Sequence, residues 1–257
     1  MAKSRSKMPR ITQTAQQVPQ NQIAQQPQPT QPSQSQPTLQ PGTDLQTTAQ
    51  ASATLDQISS MSDDQLAQVV RASQTVDMPN FLNDLPDPTQ RFVYQIGLNG
   101  APTVVDQTQF DQFMKQNGIR TREILSRSVN SNGPYSAKQI TDVFKYSELN
   151  YIGGKHGGQV YGAGTYFDMN GGGNTGYGHG ATINAVLNPH TAKVITSSSL
   201  HAKAISFANS HPKFANAVGS YSSRNMSIYA LAMGYNVINN NGSYYNIIDR
   251  SAVVVLK

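Results

Sequence analysis

Two periods organise the apolar positions of this chain. The helical one appears first, in "TLDQISSMSDDQLAQVVRASQTV" at 54 to 76, which has a break near Ser62. Ser62 and Gln65 make a capping-box pair there, and Leu66, Val69 and Val70 then fall on one face. Asp87 followed by Pro88 sets up a second start, with Phe92, Val93 and Ile96 on one side. Asp106 caps a third helix, which carries Phe110, Phe113 and Met114 and stops at Gly118. Ser136 opens another through Ile140, Val143 and Phe144. Residues 198 to 217 and 222 to 233 read as two more helices, with Gly234 placed to end the second. The strand period governs the rest: "REILSRSV" at 122 to 129, "VYGAGTYFD", "ATINAVLN", and the closing runs "YNVI", "YYNIID" and "AVVVL". Helices punctuate these strands without a regular βαβ alternation, so the pattern predicts an α+β fold.

Upstream of all this, residues 1 to about 50 are dominated by Gln, Pro, Thr and Ser. Such a stretch has too little apolar surface to offset the entropy of ordering, which predicts a disordered tail acting as a tether. Three parts result: a tail over 1–50, a short helical docking segment over 51–77, and a folded domain over 78–257. The formal charge is +5, but Lys3, Arg5, Lys7 and Arg10 carry four of those charges in the tail. The basic balance therefore says little about the domain. With no cysteine, disulfides, zinc–thiolate sites and thiol nucleophiles are excluded. No apolar run is long enough for a membrane span, and Gln-rich sequence stands where a signal peptide needs an apolar core. The expectation is a protein that acts in a cytoplasm or is packaged into a particle, without a membrane partner.

Several chemistries fail on spacing. "GGKHGG" at 153 to 158 lacks the ending of a P-loop, and the glycines after Phe167 miss the dinucleotide fingerprint. Histidines 156, 179, 190, 201 and 211 show no metal-ligand spacing, so no metal site is expected. There is no G-x-S-x-G elbow. Glu123 and Glu148 are the only glutamates, and beyond Glu148 only Asp168 and Asp249 are acidic, so nothing promotes a glycosidase-like pair. "GAGTYFDMNGGGNTGYGHG" at 162 to 180 remains. Tyr166 and Tyr177, eleven residues apart across little side-chain bulk, can sandwich a flat heteroaromatic group while glycines admit its close approach. The bland alternative makes Tyr166 a core residue and Tyr177 part of a surface loop.

The phrase "GAGTYFDMNGGGNTGY" resembles the G-x-G-I-Y-F-A-D-M signature of the ADP-ribosyltransferase fold, in the poly- and mono-ADP-ribose polymerase branch. There a second tyrosine follows at the same interval. The terminal "GYNVINNNGSYYNIIDRSAVVV" is similar to that fold's closing strands, and "DPTQRFVYQIGLN" looks like domains of this kind encoded by bacteriophages. The resemblance covers residues 78 to 257. It implies split mixed and antiparallel β-sheets with flanking helices, NAD as substrate, and transfer of one ADP-ribose unit to a host protein or nucleic acid. Tyr166 and Tyr177 would hold nicotinamide beside Gly164, and Asn174 and Thr175 fall where a hydroxyl binds its amide. The first-strand residue that grips NAD matches Arg127, with Arg120 and Arg122 as neighbouring alternatives, and Ser128 stands where the family has glycine. Tyr244 occupies the position of the catalytic glutamate. Asp168 and Asp249 are the candidate substitutes, Asp249 being better suited to stabilising the terminal turn. The missing acid leaves a second reading open, a virion structural or interaction protein that keeps the fold without catalysis. In the transferase reading residues 1–77 would serve docking or delivery, in a phage virion or in the host cytoplasm.

Overall fold

The computed structural model describes residues 54–76, 88–98, 100–131, 135–147, 163–169 and 180–257. The tail and the 153–158 glycine run lie outside them, as do Asn174, Thr175 and Tyr177 of the expected site.

Three helix starts are fixed as their side chains dictate. In α2 (Asp63–Gln74) the Ser62 hydroxyl accepts from the Gln65 amide at 3.3 Å, and the Gln65 carboxamide accepts from the Ser62 amide at 2.8 Å. Asp106 with Gln109 caps α4 (Gln107–Gln116), and Ser136 with Gln139 caps α5 (Ala137–Tyr146), by the same reciprocal pairing. Each cap satisfies amides that a helix start leaves without partners, and is worth about 1 kcal/mol. The remaining helices are α1 (54–59), α3 (Pro88–Gln95), α6 (Ser197–Ser210), α7 (Pro212–Val218) and α8 (Met226–Ala232).

The strands are β1 (Thr103–Val105), β2 (Leu125–Val129), β3 (Thr165–Met169), β4 (Ala181–Leu187), β5 (Val194–Thr196), β6 (Val237–Asn240), β7 (Tyr244–Ile247) and β8 (Val253–Leu256). They form one eight-stranded mixed sheet in the order β1-β8-β4-β2-β3-β7-β6-β5. Its central pairs are antiparallel, and the two outermost, β1 with β8 and β5 with β6, are parallel. The α+β expectation therefore holds, with β1 and β5 as short outer strands that the periodicity did not reveal. Residues 198 to 217, expected as one helix, are two. Pro212 has no amide hydrogen to continue α6 and instead occupies the first position of α7. The last helix is shorter than expected: Asn225 ties the residues before it into a turn, its carboxamide oxygen accepting from the Ser222 amide at 2.8 Å.

Opposed residues in a ladder share a face, so register assigns each side of the sheet. One face is apolar: Leu125, Val129, Phe167, Ile183, Ala185, Ile247, Val253 and Val255 pack under Ile140 and Phe144 of α5. Among the described residues the other face is covered at its ends. Phe110 and Met114 of α4 lie over Val105, Val186 and Val254 at the β1 end. At the β5 end Ile195 and Ile238 meet a larger cluster that includes Leu200, Phe214, Tyr229 and Leu231.

That larger cluster also takes in Leu55, Ile58, Leu66 and Val70. The described part of the segment expected to stand apart as a docking element is thus built into the domain core. Polar contacts fix it there. Helix α7 has no side-chain cap of its own, and Asp63 supplies one from 150 residues away, accepting from the amides of Lys213 at 3.0 Å and Phe214 at 2.8 Å.

The buried Arg250 closes the opposite side. Its guanidinium donates to the carbonyls of Val143 (3.1 Å), Phe144 (2.6 Å) and Ser147 (2.7 Å), where α5 ends. Burial pulls its pKa down to about 10, partly offset by the charge of Asp249. A cation is well matched to the negative end of a helix. Asp249 itself accepts from the amide and hydroxyl of Ser251, at 3.1 and 2.5 Å, and so stabilises the terminal turn as the sequence led one to expect.

Candidate functional site: a polar row across the sheet

Between the two covered ends, the second face carries polar side chains. Register aligns them: Asn184 opposes Ser126, Ser126 opposes Asp168, Asp168 opposes Tyr244, and Tyr244 opposes Asn240. One row therefore crosses β4, β2, β3, β7 and β6. With strands about 4.8 Å apart, it spans roughly 19 Å. A second row beside it contains Thr182 with Ser128 on one side, and Tyr166 with Asn246 on the other.

Hydrogen bonds anchor the row at both ends. Ser126 Oγ donates to Asn184 Oδ1 at 2.8 Å, and Ser197 Oγ, at the start of α6, donates to Asn240 Oδ1 at 3.1 Å. Ser126 is buried, Asp168, Asn184 and Asn240 are half-buried, and Tyr244 is 39% exposed. Asp168 lies at the middle with no hydrogen bond or ion pair among the described residues, and burial pushes its carboxyl above the usual carboxylate range.

Among the described residues the row crosses the junction with the fewest ladder pairs. There β2 pairs with β3 at Leu125↔Met169 and Ser126↔Asp168, whereas it pairs with β4 along its whole length from Leu125 to Val129. Past Ser126 the ladder to β3 gives way to a side chain: Arg127 Nη1 donates to the Tyr166 carbonyl at 3.0 Å. By alternation Arg127 belongs with Leu125 and Val129 on the apolar face, yet its guanidinium reaches the edge of β3.

Arg127, Tyr166 and Tyr244 thus lie on three neighbouring strands. Tyr166, Ser128 and Tyr244 point to the polar face. Tyr166 is half-buried on that face and belongs to no apolar cluster among the described residues. Of the alternatives to Arg127, Arg120 is bound to Glu123 at 3.2 Å in an exposed turn. Gly164 has a packing reason to be glycine. A Cβ there would collide with Asn246 Oδ1 and come within 2.9 Å of the Ile247 carbonyl, on a backbone with φ of +155°.

Ser126, Asn184 and Asn240 escaped the sequence reading. The signal was present in part: in "ATINA" polar residues alternate with apolar ones, which marks a strand with one polar face, while "LSRSV" is interrupted by Arg127. What joins them into a row is the register between distant strands.

Among the described residues no three histidine, aspartate or glutamate side chains gather to hold a metal ion, and no helix is long and apolar enough to cross a membrane. No family model matches the chain, and no curated protein or solved structure is significantly similar to it.

Proposed function

We propose that the protein is a mono-ADP-ribosyltransferase, which breaks the bond between nicotinamide and ribose in NAD and passes ADP-ribose to a macromolecular acceptor. One observation carries the reading: Tyr166 and Tyr244, picked from distant stretches of sequence, share the polar face on adjacent strands, and the guanidinium of Arg127, from the next strand, reaches the Tyr166 carbonyl. In this reading the Tyr166 ring is the platform for nicotinamide, a flat cationic heterocycle that gains from aromatic contact. Arg127 offers a planar fork of donors suited to phosphate and ribose oxygens. Tyr177, Asn174 and Thr175 would complete the nicotinamide pocket. The acceptor would be a protein or nucleic acid of a phage host, met in its cytoplasm.

Tyr244, standing where a carboxylate is expected, favours a second reading, a catalytically silent virion or interaction protein of the same fold. Full-length protein incubated with host lysate and NAD labelled on its adenosine half separates the two. Labelled macromolecules and free nicotinamide are expected, both lost in Arg127→Ala and Tyr166→Ala. Thermal stabilisation by NAD with no turnover would indicate a binding module. Neither label nor stabilisation would overturn the transferase reading in favour of the structural one.

A further inference from the structure

We infer that Asp168 is the catalytic carboxylate of this face, stabilising the positive charge that develops on ribose as nicotinamide departs. The inference rests on the transferase reading above and adds to it the group that supplies the missing negative charge.

The geometry points to Asp168 alone among the described carboxylates. Asp249 is fully buried and committed to the Ser251 turn. Glu123 is tied to Arg120 on an exposed turn before β2. Asp168 occupies the centre of the polar row, directly across the ladder from Tyr244 on one side and Ser126 on the other. It shares β3 and its polar face with Tyr166, two residues and roughly 7 Å away. A ring resting on Tyr166 and the sugar attached to it therefore lie alongside this carboxylate.

Its environment suits the task. Burial raises its pKa, and among the described residues no cation pairs with it, an environment that suits a ligand carrying the opposite charge. The nicotinamide ring of NAD carries a formal positive charge that passes to ribose in the reaction. The C1′–N bond breaks with its electron pair leaving on nicotinamide, which departs neutral. The ribosyl oxocarbenium ion faces the Asp168 carboxylate. Water or an acceptor nucleophile then attacks C1′, and its proton is released to solvent. A fixed anion beside a forming cation is worth about 100-fold or more in rate. Ser126 and Asn184, hydrogen-bonded to each other, hold the neighbouring stretch of the row rigid and polar.

The test uses the full chain, NAD, and carba-NAD, an analogue whose ribose oxygen is replaced by carbon so that it binds without reacting. Nicotinamide release and analogue affinity are measured for wild type, Asp168→Asn, Asp168→Glu and Asp111→Asn across pH. For Asp168→Asn we expect release to fall about 100-fold or more while affinity changes by no more than about tenfold. Asp168→Glu should recover part of the rate, and Asp111→Asn, which removes an exposed carboxylate of α4 outside the row, should stay near wild type. Wild-type affinity should rise with pH as Asp168 ionises, and that dependence should vanish in Asp168→Asn. Normal release by Asp168→Asn overturns the inference and leaves the transferase reading intact, as does loss of analogue binding in step with release. A wild-type chain that neither binds the analogue nor releases nicotinamide overturns both.

Discussion

Single residues in and near the polar row show which side chains the fold needs and which it merely tolerates. Gly164 is needed, because Asn246 and Ile247 fill the space a Cβ would take. Thr165 is tolerated: its hydroxyl is buried without a hydrogen bond among the described residues, on a strand whose neighbouring positions supply the site. Valine has the same shape and no polar atom to desolvate. Thr165→Val should therefore stabilise the protein by about 1 kcal/mol, read as a rise of roughly 2–4 °C in midpoint temperature. At this scale the sequence singled out Tyr166 through a glycine-rich phrase and Arg127 through a resemblance, and the two lie on adjacent strands. Asp168 was visible only as one of two remaining carboxylates. What distinguishes it from Asp249 is burial and partnership, and both come from residues far along the chain.

Whole elements were legible in proportion to how local their causes are. The helix starts at Ser62, Asp106 and Ser136 each have their cause within four residues, and all three form where read, each as a capping box. Outer strands β1 and β5 are three residues long, too short to show a period, and exist because β8 and β6 offer them partners. The start of α7 has its cause elsewhere altogether, in Asp63. Burial raises the pKa of that carboxyl, but the amides of Phe214 and Lys213 and the charges of His211 and Lys213 outweigh it and hold it below the usual 3.8. A proton is then bound less tightly in the native state than in the unfolded one. The stabilisation is complete above about 3.8 and is lost as pH falls through the native value. Asp63→Ala should lower the thermal midpoint near neutrality, and its deficit relative to wild type should shrink in strong acid, as a melting series across pH will show.

For the molecule as a whole, the largest departure from the sequence reading concerns where the domain begins. A boundary near residue 78 followed from composition and from the break in helical pattern, neither of which reports tertiary burial. Leu55, Ile58, Leu66 and Val70 are buried against Phe214, Tyr229 and Leu231. At about 1.5–3 kcal/mol for each such side chain, their loss matches the net stability of an ordinary domain. A fragment starting at residue 78 should therefore fail to melt cooperatively, while one starting at residue 51 should retain the transition of the full chain. Circular dichroism during heating distinguishes them. The joint between β2 and β3 belongs to the same scale. Among the described residues two ladder pairs and the reach of Arg127 join those strands, fewer pairs than at any other joint of the sheet. A ligand lying along the polar row would bridge that joint and act as a splint between the strands on either side.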